Sequence, residues 1–408
     1  MTALRRQTIQ ANDSFSIDGF GRWRTSNVET LFDSKQTQTG FQLFWDIATT
    51  SGAGTSSTYD KNGARTILGV SNLTAGTIVR QSKQRMNYQP GKSQLILVTF
   101  NMNAQSTGIS KRAGFFDENN GLFLEVSDDI YIVRRSYVSG VPVDEKVAQD
   151  NWNLDPFGGN GPSKETLDIT KVQILFIDFE WLGVGRVRMG FVIDGKIYYA
   201  HQFVHANLIT SVYMSQPNLP VRYEISNNGS GPAATLDTIC CSVSSEGGLQ
   251  RNGILRSEFT GNSGVAISST NRYALLGIQL KSTDFSSSVI LEQISLACST
   301  TNDYYRWEIR LNPTVAGTFT YGEINGLAPD ASFSSVQSAI GSSANTVTGG
   351  QVLLSGVGQA STVNQVQYVD AYKLGSTIGG VSDKLVLCLY NFTTSLTIHA
   401  CLEWRELV

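Results

Sequence analysis

Charge is what this chain has least of. Only 16 % of its 408 residues are Asp, Glu, Lys or Arg, against about a quarter in an average globular protein. The two signs nearly cancel, 31 basic against 34 acidic, for a formal net charge of −3. A protein built to neutralise phosphates is thereby excluded, and no nucleic-acid partner is expected. Proline is scarce at 9. The 5 cysteines form no C-x-x-C pair, an odd count cannot close a complete intrachain disulfide set, and Cys240 and Cys241 are adjacent. Free, buried thiols in a reducing compartment are therefore predicted. No apolar run approaches the ~18 residues of a spanning helix, so no membrane partner is expected. The amino end, Met1 to Gln7, has no apolar h-region, so no secretory leader is expected either. Helical periodicity is nearly absent: only 144–152 and 332–340 predict a few helical turns.

What remains is the composition of a β protein. Thirty-nine glycines and an aromatic share of 10 % exclude disorder and favour short strands joined by tight turns. Period-two alternation runs from end to end. Phe41, Leu43, Trp45 and Ile47 share one strand face, while Gln42 and Asp46 fall on the other. Further strands are predicted at 65–70, 77–85, 93–102, 112–116, 121–126, 129–135, 171–180, 185–193, 196–204, 221–226 and 235–243. Asp194-Gly195 between two alternating runs predicts a two-residue hairpin. Small residues and glycines at 244–253 mark a boundary. Beyond it strands resume at 273–280, 289–297, 304–311, 318–321, 351–354, 384–390 and 395–406. The reading is all-β: an extended arm over 1–40, a lectin-like β-sandwich over 41–245 of the jelly-roll or legume-lectin type, and a second β-sandwich over 246–408. Residues 331–369 contain no charged side chain, which places them at a subunit interface or a distal tip.

Chemistry is harder to find. Asp178 and Glu180, two apart on one strand face, have the arrangement of paired acid and base carboxylates. The surrounding Phe176-Ile-Asp178-Phe-Glu180-Trp181 resembles the Glu-x-Asp-x-Glu strand of laminarinase-like hydrolases, whose fold is that of legume lectins. Phe176 stands where that pattern needs its nucleophile, so no retaining mechanism is available. The plainer reading is a solvated sheet face on which Asp178 and Glu180 pair with Arg186 or Arg188. His201 and His205 share a strand face but lie roughly 13 Å apart at ~3.3 Å per residue, too far to hold one ion. No G-x-S-x-G occurs. Gly158 to Lys164 departs from a phosphate loop at Ser163 and Glu165, and Asp117 to Gly121 reads as a turn before a calcium loop. No catalytic residue, metal or cofactor is expected.

Several ordered blocks carry a further resemblance: Gly19-Phe-Gly-Arg22-Trp23-Arg24-Thr25-Ser26, Leu31-Phe32-Asp33-Ser34-Lys35, Trp181-Leu-Gly-Val-Gly-Arg186-Val-Arg188, His205-Ala-Asn207, Pro217-Asn-Leu-Pro220-Val-Arg-Tyr223-Glu and Ser244-Ser-Glu-Gly-Gly248. Together they resemble a virion-associated protein family of tailed bacteriophages, marine and cyanobacterial ones above all, found also in large DNA viruses. The resemblance covers about 19–248. It implies a non-enzymatic structural subunit of a virus particle, on capsid, baseplate or fibre, made in the host cytoplasm. Its partners would be copies of itself, other virion proteins and a host-surface glycan. Arg22, Trp23 and Arg24 are the candidate docking residues, because Trp and Arg dominate interface energetics. Trp23 as a plug in its own sandwich is the competing reading. The alternative function is a lectin-like adhesin or degenerate glycoside hydrolase, with Asp178, Glu180 and Trp181 as candidate glycan contacts.

Overall fold

The computed structural model describes residues 17–18, 23, 27–40, 43–268, 270–298, 304–324, 333–359, 363–367, 372–392 and 395–407. The chain divides into two compact units, 1–82 with 86–250, and 83–85 with 251–408, close to the boundary the sequence marks. In chain order the first unit holds β1 (Val28–Ser34), β2 (Trp45–Gly52), β3 (Thr55–Asp60), β4 (Arg65–Val70), β5 (Gly76–Ser82), β6 (Ser93–Asn101), β7 (Ile109–Phe116) and β8 (Gly121–Val126). It continues with β9 (Ile130–Ser136), β10 (Val143–Ala148), β11 (Gln173–Phe179), β12 (Arg186–Ile193), β13 (Lys196–Val204), β14 (Val221–Asn227) and β15 (Ala234–Glu246). The second unit holds β16 (Ile254–Phe259), β17 (Val265–Ile267), β18 (Arg272–Leu280), β19 (Ser288–Cys298), β20 (Tyr304–Leu311) and β21 (Thr314–Val315). After these come β22 (Val336–Ile340), β23 (Val347–Thr348), β24 (Gln351–Gln359), β25 (Val363–Gln367), β26 (Lys384–Asn391) and β27 (Leu396–Leu407).

The first unit is a sandwich of two antiparallel sheets. Sheet A runs β13-β12-β11-β6-β15-β4-β3, with β1 also on β15; sheet B runs β10-β9-β8-β7-β14-β5-β2. Alternation explains the packing: Leu175, Ile177 and Phe179 of β11 enter one continuous core with Phe115, Leu122 and Leu124 of sheet B, while the residues between them face outward. Phe115 meets Phe179 across the core at 5.9 Å between ring centroids. Two charges point inward: Lys111, which donates to the Met102 and Ala104 carbonyls, and Arg80, which lies 4.5 Å over the Trp45 ring and donates to the Gly40 carbonyl at 2.8 Å. Burial pulls the Arg80 guanidinium down to about 10.

The second unit packs sheet C (β16-β27-β19-β25, with β17 on β27) with sheet D (β22-β18-β26-β20-β24). Trp404 is fully buried between them; its indole N–H donates at 3.0 Å to Glu406, which also accepts from Ser334 Oγ at 2.7 Å.

The all-β expectation holds, and Asp194 and Gly195 both take positive φ, 50° and 76°, in the β12–β13 turn, as a two-residue hairpin requires. Four local readings are corrected. Residues 144–152 form β10 and a single 3-10 turn, Gln149–Asn151, because Asp144 and Lys146 alternate against Arg135 and Glu125 rather than coiling. Residues 336–340 are β22, paired with β18. Residues 318–321 form no strand; Phe319 and Tyr321 stand edge-on to each other at 5.6 Å. The strand placed at 41–47 begins only at Trp45, Phe41 lying outside the described residues. Part of the expected arm is also a strand, since β1 pairs with β15. All five cysteines are free, and burial pushes the Cys388 thiol up to about 12. Among the described residues, no helix is long and apolar enough to cross a membrane.

Candidate functional site

The carboxylate pair singled out by the sequence is not a surface. Asp178 on β11 stands opposite Arg188 on β12 and Leu95 on β6. Arg188 Nη2 donates to Asp178 Oδ2 and, at 2.8 Å, to the Ile17 carbonyl, while Ser93 Oγ donates to Asp178 Oδ1 at 3.0 Å. Asp178 and Arg188 have no exposed side-chain surface. Phe176 is fully buried and meets Tyr199 edge-on at 5.5 Å; Arg188 lies 4.7 Å over the same ring. Glu180 is buried, its carbonyl accepting the Tyr213 hydroxyl at 2.6 Å. Trp181 donates its indole N–H to the Met214 carbonyl at 2.8 Å and sits edge-on to Tyr88. The pairing of Asp178 with Arg188 is as expected, but the solvated face is not. Asp178, on the face of sheet A away from the core, and Glu180 are nonetheless buried and Trp181 is half-buried, each hydrogen-bonded to residues of the same unit.

Of the docking trio, Arg22 and Arg24 lie outside the described residues. Trp23 makes a backbone bridge to Ile17 and is 57 % exposed, so it does not plug its sandwich.

The polar array that does form lies on the outer face of sheet B. Register sets Glu224 on β14 opposite Arg112 on β7, and Arg112 opposite Glu125 on β8. Arg112 donates to both glutamates at 2.7 Å. Lys146 reaches Glu125 at 2.6 Å, Arg222 reaches Glu224 at 2.8 Å, and Arg135 grips Asp144 through two nitrogens at 2.7 and 2.9 Å. Beneath them Phe116 and Phe123 pack at 4.4 Å, with Arg135 5.1 Å over Phe123. Burial alone would raise the glutamates, but Arg112 and Lys146 hold Glu125 below its ordinary value, and Arg222 and Arg112 do the same for Glu224. Neither supplies the protonated carboxyl that a glycosidase needs as its general acid.

One register step further along the same face is a row of hydroxyls. Ser51 pairs with Thr77, Thr77 with Ser226, and Ser226 with Ser110, so four adjacent strands present Ser or Thr side by side. With Ser127, Asp128, Asn228 and Thr107 they line a pocket of about 650 Å³. Ser110 Oγ is buried and has no hydrogen-bond partner. Asp128 accepts from Ser127 Oγ at 2.9 Å, and that bond together with its own backbone N–H holds its carboxyl below its ordinary value. Hydroxyls both donate and accept, and the pocket is lined by one carboxylate and no cation. This chemistry suits a neutral polyhydroxylated ligand and disfavours a phosphate.

Sequence reading misses this row because its members are isolated Ser and Thr residues at strand ends, and only the register aligns them. Among the described residues, no group of three or more His, Cys, Asp and Glu side chains could hold a metal ion.

No family model and no curated protein matches the chain. Among solved structures it is similar to a Bacillus licheniformis β-glucanase, at 11 % identity and a TM-score of 0.34 over 53 % of this chain and 98 % of that one. It is similar to a legume lectin-like domain from Entamoeba histolytica, at 10 % identity and a TM-score of 0.32 over 53 % and 98 %. A third is the exoplasmic/lumenal domain of VIP36 in its Ca²⁺/Man3GlcNAc-bound form, at 10 % identity and 0.31 over 53 % and 89 %.

Proposed function

We propose that the first unit is a non-catalytic carbohydrate-binding sandwich, carried by a structural subunit of a virus particle. The observation that carries the binding reading is the hydroxyl row Ser51–Thr77–Ser226–Ser110, whose lining residue Ser110 has a buried Oγ without a hydrogen-bond partner. A buried hydroxyl without a partner costs free energy, and a sugar hydroxyl seated there would relieve it. No aromatic ring lines the pocket, so the sugar is held edge-on by hydrogen bonds rather than stacked on a platform. The non-enzymatic reading is supported by Phe176 in place of a nucleophile and by the ionised state of Glu125 and Glu224. The virion setting is supported by the sequence blocks of 19–248, and there the sugar belongs to a host-surface glycan.

A glycan array with the full chain, followed by calorimetry on the best hit, tests the binding reading. Ser110→Val and Asp128→Ala are each expected to abolish the calorimetric signal without lowering the melting temperature. A blank array overturns the reading, and so does binding that survives both substitutions. Release of reducing sugar from a bound glycan would overturn the non-enzymatic part. Immunodetection in purified particles tests the virion setting separately.

A further inference from the structure

Terminal strands of sheets present unpaired N–H and C=O groups and serve as templates for another strand unless they are short, charged, bulged or covered. Most terminal strands here are guarded. β1 carries Glu29 and Asp33, β2 carries Asp46, β3 carries Asp60, β10 carries Asp144, Glu145 and Lys146, β13 carries Lys196, and β16 carries Arg256 and Glu258. Of the uncharged ones, β17 and β25 have three and five residues. β22 has five, and Gly322 covers it by exchanging backbone hydrogen bonds with Ser338 at 2.9 and 3.0 Å.

β24 is the exception among the described residues. It ends sheet D, spans nine residues and has neither charge nor proline. A register shift at Leu353 interrupts its pairing with β20, so the regular edge is Leu354–Gln359 against Tyr304–Ile309. Its outward side chains are exposed, Val357 at 64 %. On the inner side Gly356 leaves space for Trp307, whose Cζ2 a Cβ there would approach to 2.4 Å.

We propose that β24 pairs antiparallel with β24 of a second copy of this chain, joining two D sheets across a two-fold axis. An isologous contact needs an edge compatible with itself. Centred on Val357, the pairing sets Val357 against its own counterpart, Ser355 against Gln359 and Gly356 against Gly358, so no like charges meet. A foreign strand would be selected by charges or side-chain pockets on the receiving edge, and this edge carries no charge. The neutrality of 331–369 is thereby accounted for: the segment contains the one long edge that must meet itself. This surface is independent of the hydroxyl pocket, and dimerisation would double the valency of whatever that pocket binds.

Sedimentation equilibrium of the full chain tests it. The wild type is expected to be dimeric, and Val357→Lys and Val357→Glu are each expected to weaken the dimer by ~tenfold or more, which is ~1.4 kcal/mol. Val357 is exposed, so circular-dichroism melts of both variants should match wild type. An equimolar mixture of the two variants should regain the dimer, because Lys then faces Glu across the axis. A monomeric wild type overturns the proposal. So does a dimer that tolerates Val357→Lys, or a mixture no tighter than either variant alone.

Discussion

Asp178 and Arg188 meet at register-paired positions of β11 and β12 where neither side chain touches solvent. Removing one partner of such a pair leaves an uncompensated buried charge, so Asp178→Ala is expected to cost ~3–5 kcal/mol. Denaturant unfolding measures it. No sugar-releasing activity should change, because the carboxylate is committed to Arg188 and Ser93.

His205 connects the end of β13 to sheet B. Its Nδ1 lies 2.6 Å from the Gly185 carbonyl and its Nε2 2.6 Å from Arg134 Nη1, while its ring stacks on Tyr213 at 4.1 Å. A carbonyl fixes the proton on Nδ1, so Nε2 accepts from Arg134. Burial, and more weakly Arg134, pull its pKa below the ordinary 6.5, against the opposing pull of Gly185 and Glu145. The unfolded chain therefore takes up this proton first as pH falls. The contribution to stability is present above about 6.5 and is lost as pH drops below it. Thermal melts from pH 8 to 5 should show a falling Tm whose slope shrinks in His205→Gln. A residual slope remains from His201, whose pKa burial also lowers.

The Glu224–Arg112–Glu125 row predicts a second acid transition. Both glutamates are held below the ordinary 4.5, so the folded state resists protonation that the unfolded state accepts. Stability is then lost as pH falls through and below that value. Arg112→Met is expected to cost about 3 kcal/mol at neutral pH and to flatten this dependence, measured by urea unfolding between pH 3 and 6.

Trp23→Ala is expected to leave the isolated chain within ~0.5 kcal/mol of wild type, as for other exposed positions. A buried plug would cost ~3–5 kcal/mol. Calorimetry of the purified variant distinguishes the two, and incorporation into particles then reports on docking alone.

The interior strands were legible because burial imposes alternation. β4 and β8 fall on the residues expected of them. Edge strands were not: β3, Thr-Ser-Ser-Thr-Tyr-Asp, buries little on either face, so it carries no period-two signal and is held by its pairing with β4. β10, overlapping the 144–152 segment expected to hold helical turns, buries neither face fully and so shows no clear alternation. At the level of the site, Trp181 beside two carboxylates looks like a sugar platform in one dimension, whereas its indole N–H points to a carbonyl that tertiary contact brings near. The hydroxyl row left no trace, because Ser51, Thr77, Ser110 and Ser226 come from strands far apart in the chain.

β15 is the last strand of the first unit along the chain, yet it lies inside sheet A, between β6 on one side and β4 and β1 on the other. Val28 pairs with Glu246. While the protein is being synthesised, the middle of that sheet therefore has no material from which to form until β15 has left the ribosome. β1 waits unpaired, and β4 and β6 wait with one edge open. Long-range closure of this kind is slow, and the waiting edges are the surfaces on which a nascent chain aggregates. A ribosome stalled just upstream of residue 234 would thus hold a set of hairpins rather than half a domain, and the whole sandwich would lock in a single late event.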